Sequence, residues 1–172
     1  YSGLEIPSYT LARATTAGWL WDIPLATRRG VGIVFSSAHM SDDAAYDGLS
    51  EYLGHTPENT KTIKFQSGVL EKPWSGNVVS IGLSAGFIEP LESTGIYFIE
   101  EAINLLISYF PFGGSAHCKI QFNDALTERY NECADFVFLH YHLSKRQDSE
   151  FWRSITSKST APQQIRDQLE FW

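Results

Sequence analysis

The sequence lacks the marks of membrane, nucleic-acid-binding and metal-binding proteins. No hydrophobic run is long enough to cross a bilayer, and no basic segment followed by an apolar one resembles a secretory leader. The formal net charge of −7 disfavours contact with nucleic-acid phosphates or an anionic membrane, because like charges repel. The two cysteines, Cys118 and Cys133, form no metal-ligand pattern. We therefore predict no membrane, nucleic-acid or metal partner.

The scarcity of cysteine also bears on the cellular compartment. Two thiols suit a reducing environment, and a single disulfide between them stays open as an alternative. The sequence therefore predicts a cytoplasmic protein.

The G-x-G-x-x-G motif that opens dinucleotide-binding units is absent as well. The nearest pattern, Gly30-Val31-Gly32, lacks the third glycine and lies in a predicted hairpin.

The most informative stretch that the sequence does contain is residues 76–110. Four apolar residues, most of them β-branched, predict a strand buried on both faces: Val78, Val79, Ile81 and Leu83. Apolar residues then recur at spacings of three and four, which predicts a helix with one apolar stripe: Ile96, Ile99, Ile103, Leu106 and Phe110. Phe98, Ala102 and Leu105 widen that stripe. Pro111 and Gly113-Gly114 predict the end of that helix.

Periodicity elsewhere predicts an α+β chain. Alternation predicts a hairpin of residues 15–24 and 31–40, with Trp19, Trp21 and Ile23 on one face, and a strand at residues 61–66. Helices are predicted after Ser41, through the stripe from 122 to 137, and at 148–153 and 162–171. We predict a sheet-rich part, residues 1–95, followed by a helical part, residues 96–172.

Two histidines, His140 and His142, suggest a metal site at first sight. Residues two apart on a helix point to nearly opposite sides, so these imidazoles could not share an ion. We therefore expect no metal here and prefer packing or hydrogen bonding for both side chains.

The loop from Glu89 to Gly95 precedes the predicted helix. A helix N-terminus has free backbone N–H groups and a partial positive charge, so Thr94 and Gly95 could present donors to an anion. The same field would simply stabilise Glu89 and Glu92, and this structural alternative stays open on the residues alone.

Three motifs resemble one enzyme family. Residues 18–24 carry a W-x-W-x-I-P pattern, formed by Trp19, Trp21, Ile23 and Pro24, and residues 89–95 read E-P-L-E-S-T-G. Residues 140–152 carry a third, from His140-Tyr141 to Phe151-Trp152. In this order the motifs closely resemble flavin-dependent halogenases of the tryptophan type.

The resemblance implies roles for individual residues. Leu83 and the turn Thr94-Gly95-Ile96 would touch the flavin ring, and the amides of Thr94 and Gly95 would hold chloride or bromide. Glu92 would project into the substrate tunnel as a catalytic residue, and Ser93 would tune its position. The W-x-W-x-I-P residues would serve as a family marker near the flavin and substrate channel, although core packing is the preferred interpretation of their energetics.

The resemblance also implies an activity and a larger fold. FAD, reduced by a separate flavin reductase, would act with oxygen and halide to halogenate tryptophan or another indole. The chain would then be part of an α/β FAD-binding fold like that of flavin monooxygenases, inactive alone because the family's glycine motif and catalytic lysine lie outside it. Two alternatives stay open, a flavin hydroxylase and a non-catalytic helical interaction module.

Overall fold

A computed structural model describes residues 6–110 and 116–171 of the chain. Among them, no helix is both long and apolar enough to cross a membrane. The strands and helices are β1 (Leu11–Ala14), β2 (Gly18–Pro24), β3 (Arg29–Phe35), α1 (Asp42–Leu53), β4 (Gly68–Val69), β5 (Trp74–Ser75), β6 (Val78–Val79), β7 (Gly86–Phe87), α2 (Thr94–Tyr109), α3 (Ala116–His142), α4 (Glu150–Ile155) and α5 (Gln163–Phe171). Short 3₁₀ turns occur at Gly82–Ser84 and Lys158–Thr160.

The chain divides into two compact units, one of residues 1–63 and 141–172 and one of residues 64–140. Within the described ranges, the seven strands precede residue 88 and the four helices after α1 follow residue 93, which agrees with the predicted α+β class. The division into parts at residue 95 remains a prediction from element type.

The first unit contains an antiparallel sheet in the order β1-β2-β3. The predicted hairpin of β2 and β3 is confirmed, and its turn is closed by a 2.8 Å bond from the amide of Leu25 to the carbonyl of Arg28. Trp21 lies opposite Gly32, where an added Cβ would come within 2.5 Å of the indole ring. The glycine of this pair therefore makes room for Trp21.

A polar cluster ties the hairpin to α1. Asp22 is buried; its carboxylate accepts hydrogen bonds from Arg29 Nε at 2.8 Å and from the hydroxyl of Tyr52 at 2.7 Å. The bond from Arg29 lowers the pKa of the Asp22 carboxyl, and donation to Asp22 raises the pKa of Tyr52. A buried carboxylate held in this way is strongly committed to the charged form.

Helix α1 follows the expected capping rules. The Ser41 side chain accepts from the amide of Ala44 at 3.2 Å, and Gly54 ends the helix in the left-handed conformation.

Two residues of the third motif, residues 140–152, make structural hydrogen bonds in this unit. The indole N–H of Trp152 donates to the carbonyl of Thr15 at 2.6 Å, and the Arg146 side chain donates to the carbonyl of Ala14 at 2.9 Å.

The predicted strand at residues 61–66 is wrong. Residues 61–66 pair with no strand, since β4 begins only at Gly68, and Ile63 and Phe65 are exposed. A strand needs a neighbouring strand for its backbone hydrogen bonds, and alternation of polar and apolar residues alone does not predict such a neighbour.

The predicted buried strand at residues 78–83 is also wrong. Only Val78 and Val79 form a strand, paired with β5, and the 62% exposure of Val78 contradicts burial on both faces. Gly76 and Gly82 have positive φ angles, so the backbone turns before and after β6. The segment is therefore a short hairpin followed by a 3₁₀ turn that carries Leu83.

Helices α2 and α3 form the core of the second unit. The rings of Phe98 and Tyr130 stack with centroids 3.7 Å apart, and the predicted α3 stripe is confirmed by its burial at Phe122, Leu126, Tyr130 and Val137. The side-chain amide of Asn123 accepts from the backbone of Trp74 at 2.7 Å and donates back at 3.0 Å, which satisfies one edge of β5.

The apolar stripe predicted for α2 is buried only at the residues that widen it. Its buried residues are Phe98 and Ala102. Most of the predicted stripe is exposed, together with one further isoleucine: Ile96, Ile99, Ile103, Ile107 and Phe110. The helix is apolar on more than one face, so spacing alone could not select the buried one. The predicted break at Pro111 and Gly113-Gly114 lies outside the described residues.

Candidate active site

The loop before α2 has an unusual backbone at Ser93. Its φ and ψ angles are 55° and 32°, and within the described residues it is the one non-glycine position with positive φ. Such a conformation costs about 1–3 kcal/mol and persists only where surrounding structure requires it, which is frequently at functional sites. The turn is closed by a 3.2 Å bond from the amide of Ser93 to the carbonyl of Pro90.

This backbone leaves the start of α2 uncapped. Serine occupies the N-cap of α1, α4 and α2 alike; Ser41 and Ser149 accept a bond from the first helical turn, whereas Ser93 makes no such bond. No acceptor among the described residues bonds the amides of Thr94 or Gly95. These two donors, with the positive end of the helix behind them, are open to an external anion.

Gly95 leaves free space beside these amides. Its φ angle does not require glycine, and a Cβ added there would meet no atom within 4 Å. Packing within the described chain therefore does not explain the absent side chain. A group that approaches from outside the chain would explain it.

Two large apolar side chains in the same unit, Ile96 directly after Gly95 and Leu83 in the 3₁₀ turn, face solvent. Leu83 and Ile96 are each 78% exposed. The turn carrying Leu83 lies against α2, because a Cβ at Gly82 would come within 2.9 Å of the Ile99 side chain. An open groove of about 390 Å³ adjoins Leu83 and is lined by residues 66–70 and 83–87. An apolar face beside open amide donors suits a flat, partly polar ring system.

The carboxylate of Glu92 is held by a histidine. Its Oε1 lies 2.9 Å from Nε2 of His140, and Nδ1 of the same ring lies 2.9 Å from the carbonyl of Phe136. Both side chains of this contact are about two-fifths exposed. The structure thus brings Glu92, Ser93, Thr94, Gly95 and Leu83 into one unit and adds His140, which the sequence interpretation assigned no functional role.

The W-x-W-x-I-P residues lie in β2 of the other unit. Trp19 is buried, and Trp21 covers Gly32 of the neighbouring strand, so both indoles pack within the sheet. The indole N–H of Trp19 is buried and has no hydrogen-bond partner among the described residues. The sheet thus explains both rings by packing.

Metal chemistry finds no support in the described residues, since no three of their histidine, cysteine or acidic side chains are grouped as a metal site requires. His142 bonds the carbonyl of Ile155 at 2.8 Å through Nδ1. The predicted preference for hydrogen bonding is therefore what the structure has at both His140 and His142.

Comparison with known proteins identifies the family. A family model described as tryptophan halogenase matches residues 1–172. The chain belongs to this family. Tryptophan 6-halogenase SttH of Streptomyces toxytricini is 37% identical over 171 residues, covering 97% of this chain and 32% of that protein. Tryptophan 7-halogenase RebH of Lentzea aerocolonigenes is 37% identical over 152 residues, covering 87% and 29%.

Solved structures of halogenases have the same fold. BrvH, a flavin-dependent halogenase from Brevundimonas sp. BAL3, superposes with a TM-score of 0.91 at 39% identity, covering 100% of this chain and 35% of that one. This halogenase-family chain spans about a third of the length of the relatives it matches. The expected correspondence to part of a larger flavoenzyme fold is therefore confirmed.

Proposed function

We propose that the protein at its full natural length is a flavin-dependent halogenase of tryptophan or another indole. The observation that carries the proposal is the pair of open amides at Thr94 and Gly95, directly after the strained Ser93 and beside Glu92. The family supplies the chemistry, since relatives with known activity are named as tryptophan halogenases.

FAD and a halide fit the residues that are present. Leu83 and Ile96 offer an exposed apolar face to the flavin ring, and the empty space at Gly95 admits its close approach. The amides of Thr94 and Gly95 would hold chloride or bromide, because a small anion satisfies both donors and the helix dipole. When bound, the reduced flavin supplies with oxygen the power to oxidise the halide to hypohalous acid.

Glu92 would act on the aromatic substrate. Halogenation forms a carbon–halogen bond at the ring carbon and releases the proton that this carbon carried, and a nearby carboxylate is the natural acceptor of that proton. The left-handed backbone of Ser93 would set the direction in which Glu92 projects. The protein thus positions the halide, at the amides of Thr94 and Gly95, and the base, Glu92, on either side of Ser93.

The remaining partners follow from this chemistry. A separate flavin reductase would supply reduced FAD through transient contact. The cysteines, Cys118 and Cys133, are free thiols, which is consistent with the proposed cytoplasmic location.

The test is a reaction with the full-length protein, FAD, a flavin reductase, NADH, oxygen, chloride and tryptophan. Mass spectrometry should detect chlorotryptophan that disappears when chloride is omitted. An oxygenated product that forms equally without halide would instead establish the hydroxylase alternative. Folded full-length protein with neither product would leave the non-catalytic alternative.

A further inference from the structure

We propose that His140 is a positioning residue that orients Glu92 for proton acceptance. The inference rests on the proposed function, because it assigns a partner to the base named there. Within the part of the chain that the structure describes, Nε2 of His140 is the one donor that contacts the Glu92 carboxylate.

Both nitrogens of the imidazole face acceptors. Nε2 lies 2.9 Å from Oε1 of Glu92, and Nδ1 lies 2.9 Å from the backbone oxygen of Phe136. The imidazole therefore lies between the Glu92 carboxyl group and the backbone of α3, with one ring nitrogen against each.

The ring plane is fixed from a second side. The aromatic ring of Phe136 packs against the imidazole edge-on, with centroids 4.7 Å apart and planes at 90°. Phe136 and His140 both belong to α3, a helix of 27 residues. Glu92, by contrast, lies in a loop whose backbone is held by the turn at Ser93. His140 on α3 therefore sets the position of the Glu92 carboxylate, which lies in a loop.

This arrangement leaves one carboxylate oxygen for chemistry. Oε1 of Glu92 lies against Nε2 of His140, and Oε2 is the oxygen left to accept the arene proton. Rate acceleration by a base depends on its alignment, and a misplacement of about 1 Å costs on the order of a hundredfold. Loss of the histidine should therefore lower turnover without removing any group that touches flavin or halide.

Two variants of His140 separate the roles of its nitrogens. His140→Gln keeps a donor where Nε2 lies and so keeps the bond to Glu92, whereas His140→Asn keeps polar atoms only where Nδ1 lies. In full-length protein assayed with tryptophan and chloride, we expect His140→Asn to lower kcat roughly tenfold or more. His140→Gln should stay within about threefold of the parent.

The accompanying readouts exclude a merely structural role. KM for tryptophan, the rate of reduced-flavin consumption and the melting temperature should be the same in both variants as in the parent. In a Glu92→Gln background, His140→Asn should lower kcat no further, since the two residues act through one group. Equal kcat values for the Asn and Gln variants, or losses that multiply with Glu92→Gln, would overturn the inference.

The same experiment distinguishes this inference from the function on which it rests. If Glu92→Gln is impaired and His140→Asn turns over like the parent, only the positioning role is wrong. If the parent makes no chlorotryptophan, or Glu92→Gln is fully active, the role of Glu92 fails and that of His140 fails with it.

Discussion

Glu92 and His140 are in contact, with 2.9 Å between Oε1 and Nε2, although they come from distant parts of the sequence. Glu92 belongs to the loop that starts α2, and His140 lies near the end of α3. The contact places a carboxylate at a turn whose next two amides, Thr94 and Gly95, are free of protein acceptors among the described residues. Acidic residues before a helix are common in proteins. The contact with His140 distinguishes this carboxylate from that common pattern.

The first prediction concerns the charge of Glu92. In full-length protein, Glu92→Gln should lower kcat for chlorination by about 10²–10⁴-fold, because an amide cannot accept the arene proton. FAD affinity, measured by fluorescence titration, should stay unchanged. Glu100→Gln is the matched control, since Glu100 is an exposed carboxylate on α2, the helix that follows the loop of Glu92, and this variant should turn over like the parent. Undiminished chlorination by Glu92→Gln would remove Glu92 from the mechanism.

The second prediction separates function from stability at Gly95. Gly95→Ala should leave the melting temperature equal or higher, because alanine favours helix by about 0.5–1 kcal/mol and its Cβ meets no atom. The same methyl group should raise the halide concentration needed for half-maximal turnover, because it fills the space beside the open amides. Gly48→Ala within α1, where the added Cβ makes an ordinary 3.7 Å contact, is the control. Its melting temperature should likewise be equal to or higher than the parent's, and its turnover should be unchanged. Normal halide dependence in Gly95→Ala would contradict the proposed anion site.

The third prediction concerns acid stability and Asp22. The hydrogen bond from Arg29 lowers the pKa of Asp22 in the folded state, so the unfolded chain binds more protons as the pH falls. The stability contributed by Asp22 is therefore fully present above its ordinary pKa of 3.8 and is lost as the pH falls through the lowered value. Urea unfolding at pH values from 7 to about 2 should show a smaller loss of stability for Asp22→Asn than for the parent.

Its control is an exposed carboxylate on α1. Asp47→Asn should keep the parent's loss of stability in acid, because Asp47 lies outside the polar cluster. An Asp22→Asn variant whose urea midpoint falls with acid as steeply as the parent's would show that the cluster contributes nothing to acid sensitivity.

The fourth prediction concerns the contact between Trp21 and Gly32. Gly32→Ala should lower the free energy of unfolding by about 1–3 kcal/mol, because the new Cβ would come within 2.5 Å of the indole ring. Gly68→Ala is the control: a Cβ at Gly68 meets nothing within 4 Å, so its unfolding should match the parent's. Chemical denaturation measures both, and equal values would show that the indole shifts at no cost.

Elements with one clear periodicity could be predicted from sequence. The alternation around Trp19 and Trp21 gave the correct hairpin, and the stripe of α3 gave the correct buried face. The strand at residues 78–83 could not be predicted, because the turns at Gly76 and Gly82 cut it to two residues. The buried face of α2 was ambiguous, since α2 has apolar residues on more than one face. Packing of Phe98 against Tyr130 of α3 decides which of these faces is buried.

The candidate site divides in the same way. The position of the loop before a helix followed from the change of period at Gly95, and resemblance to a family gave its residues roles. The left-handed Ser93 carries no sequence signal, since serine is an ordinary N-cap. The partner of Glu92 depends on how α3 packs, so no spacing rule could have named His140.

The outward apolar side chains of α2 determine how the chain behaves in isolation. A row of isoleucines ending at Phe110 stands in contact with water along the whole helix. Water is a poor solvent for such a surface, and two copies can relieve the cost by burying their rows against each other. Self-association that grows with concentration, and is relieved by mild detergent, is the behaviour this row imposes on a solution of residues 1–172 alone.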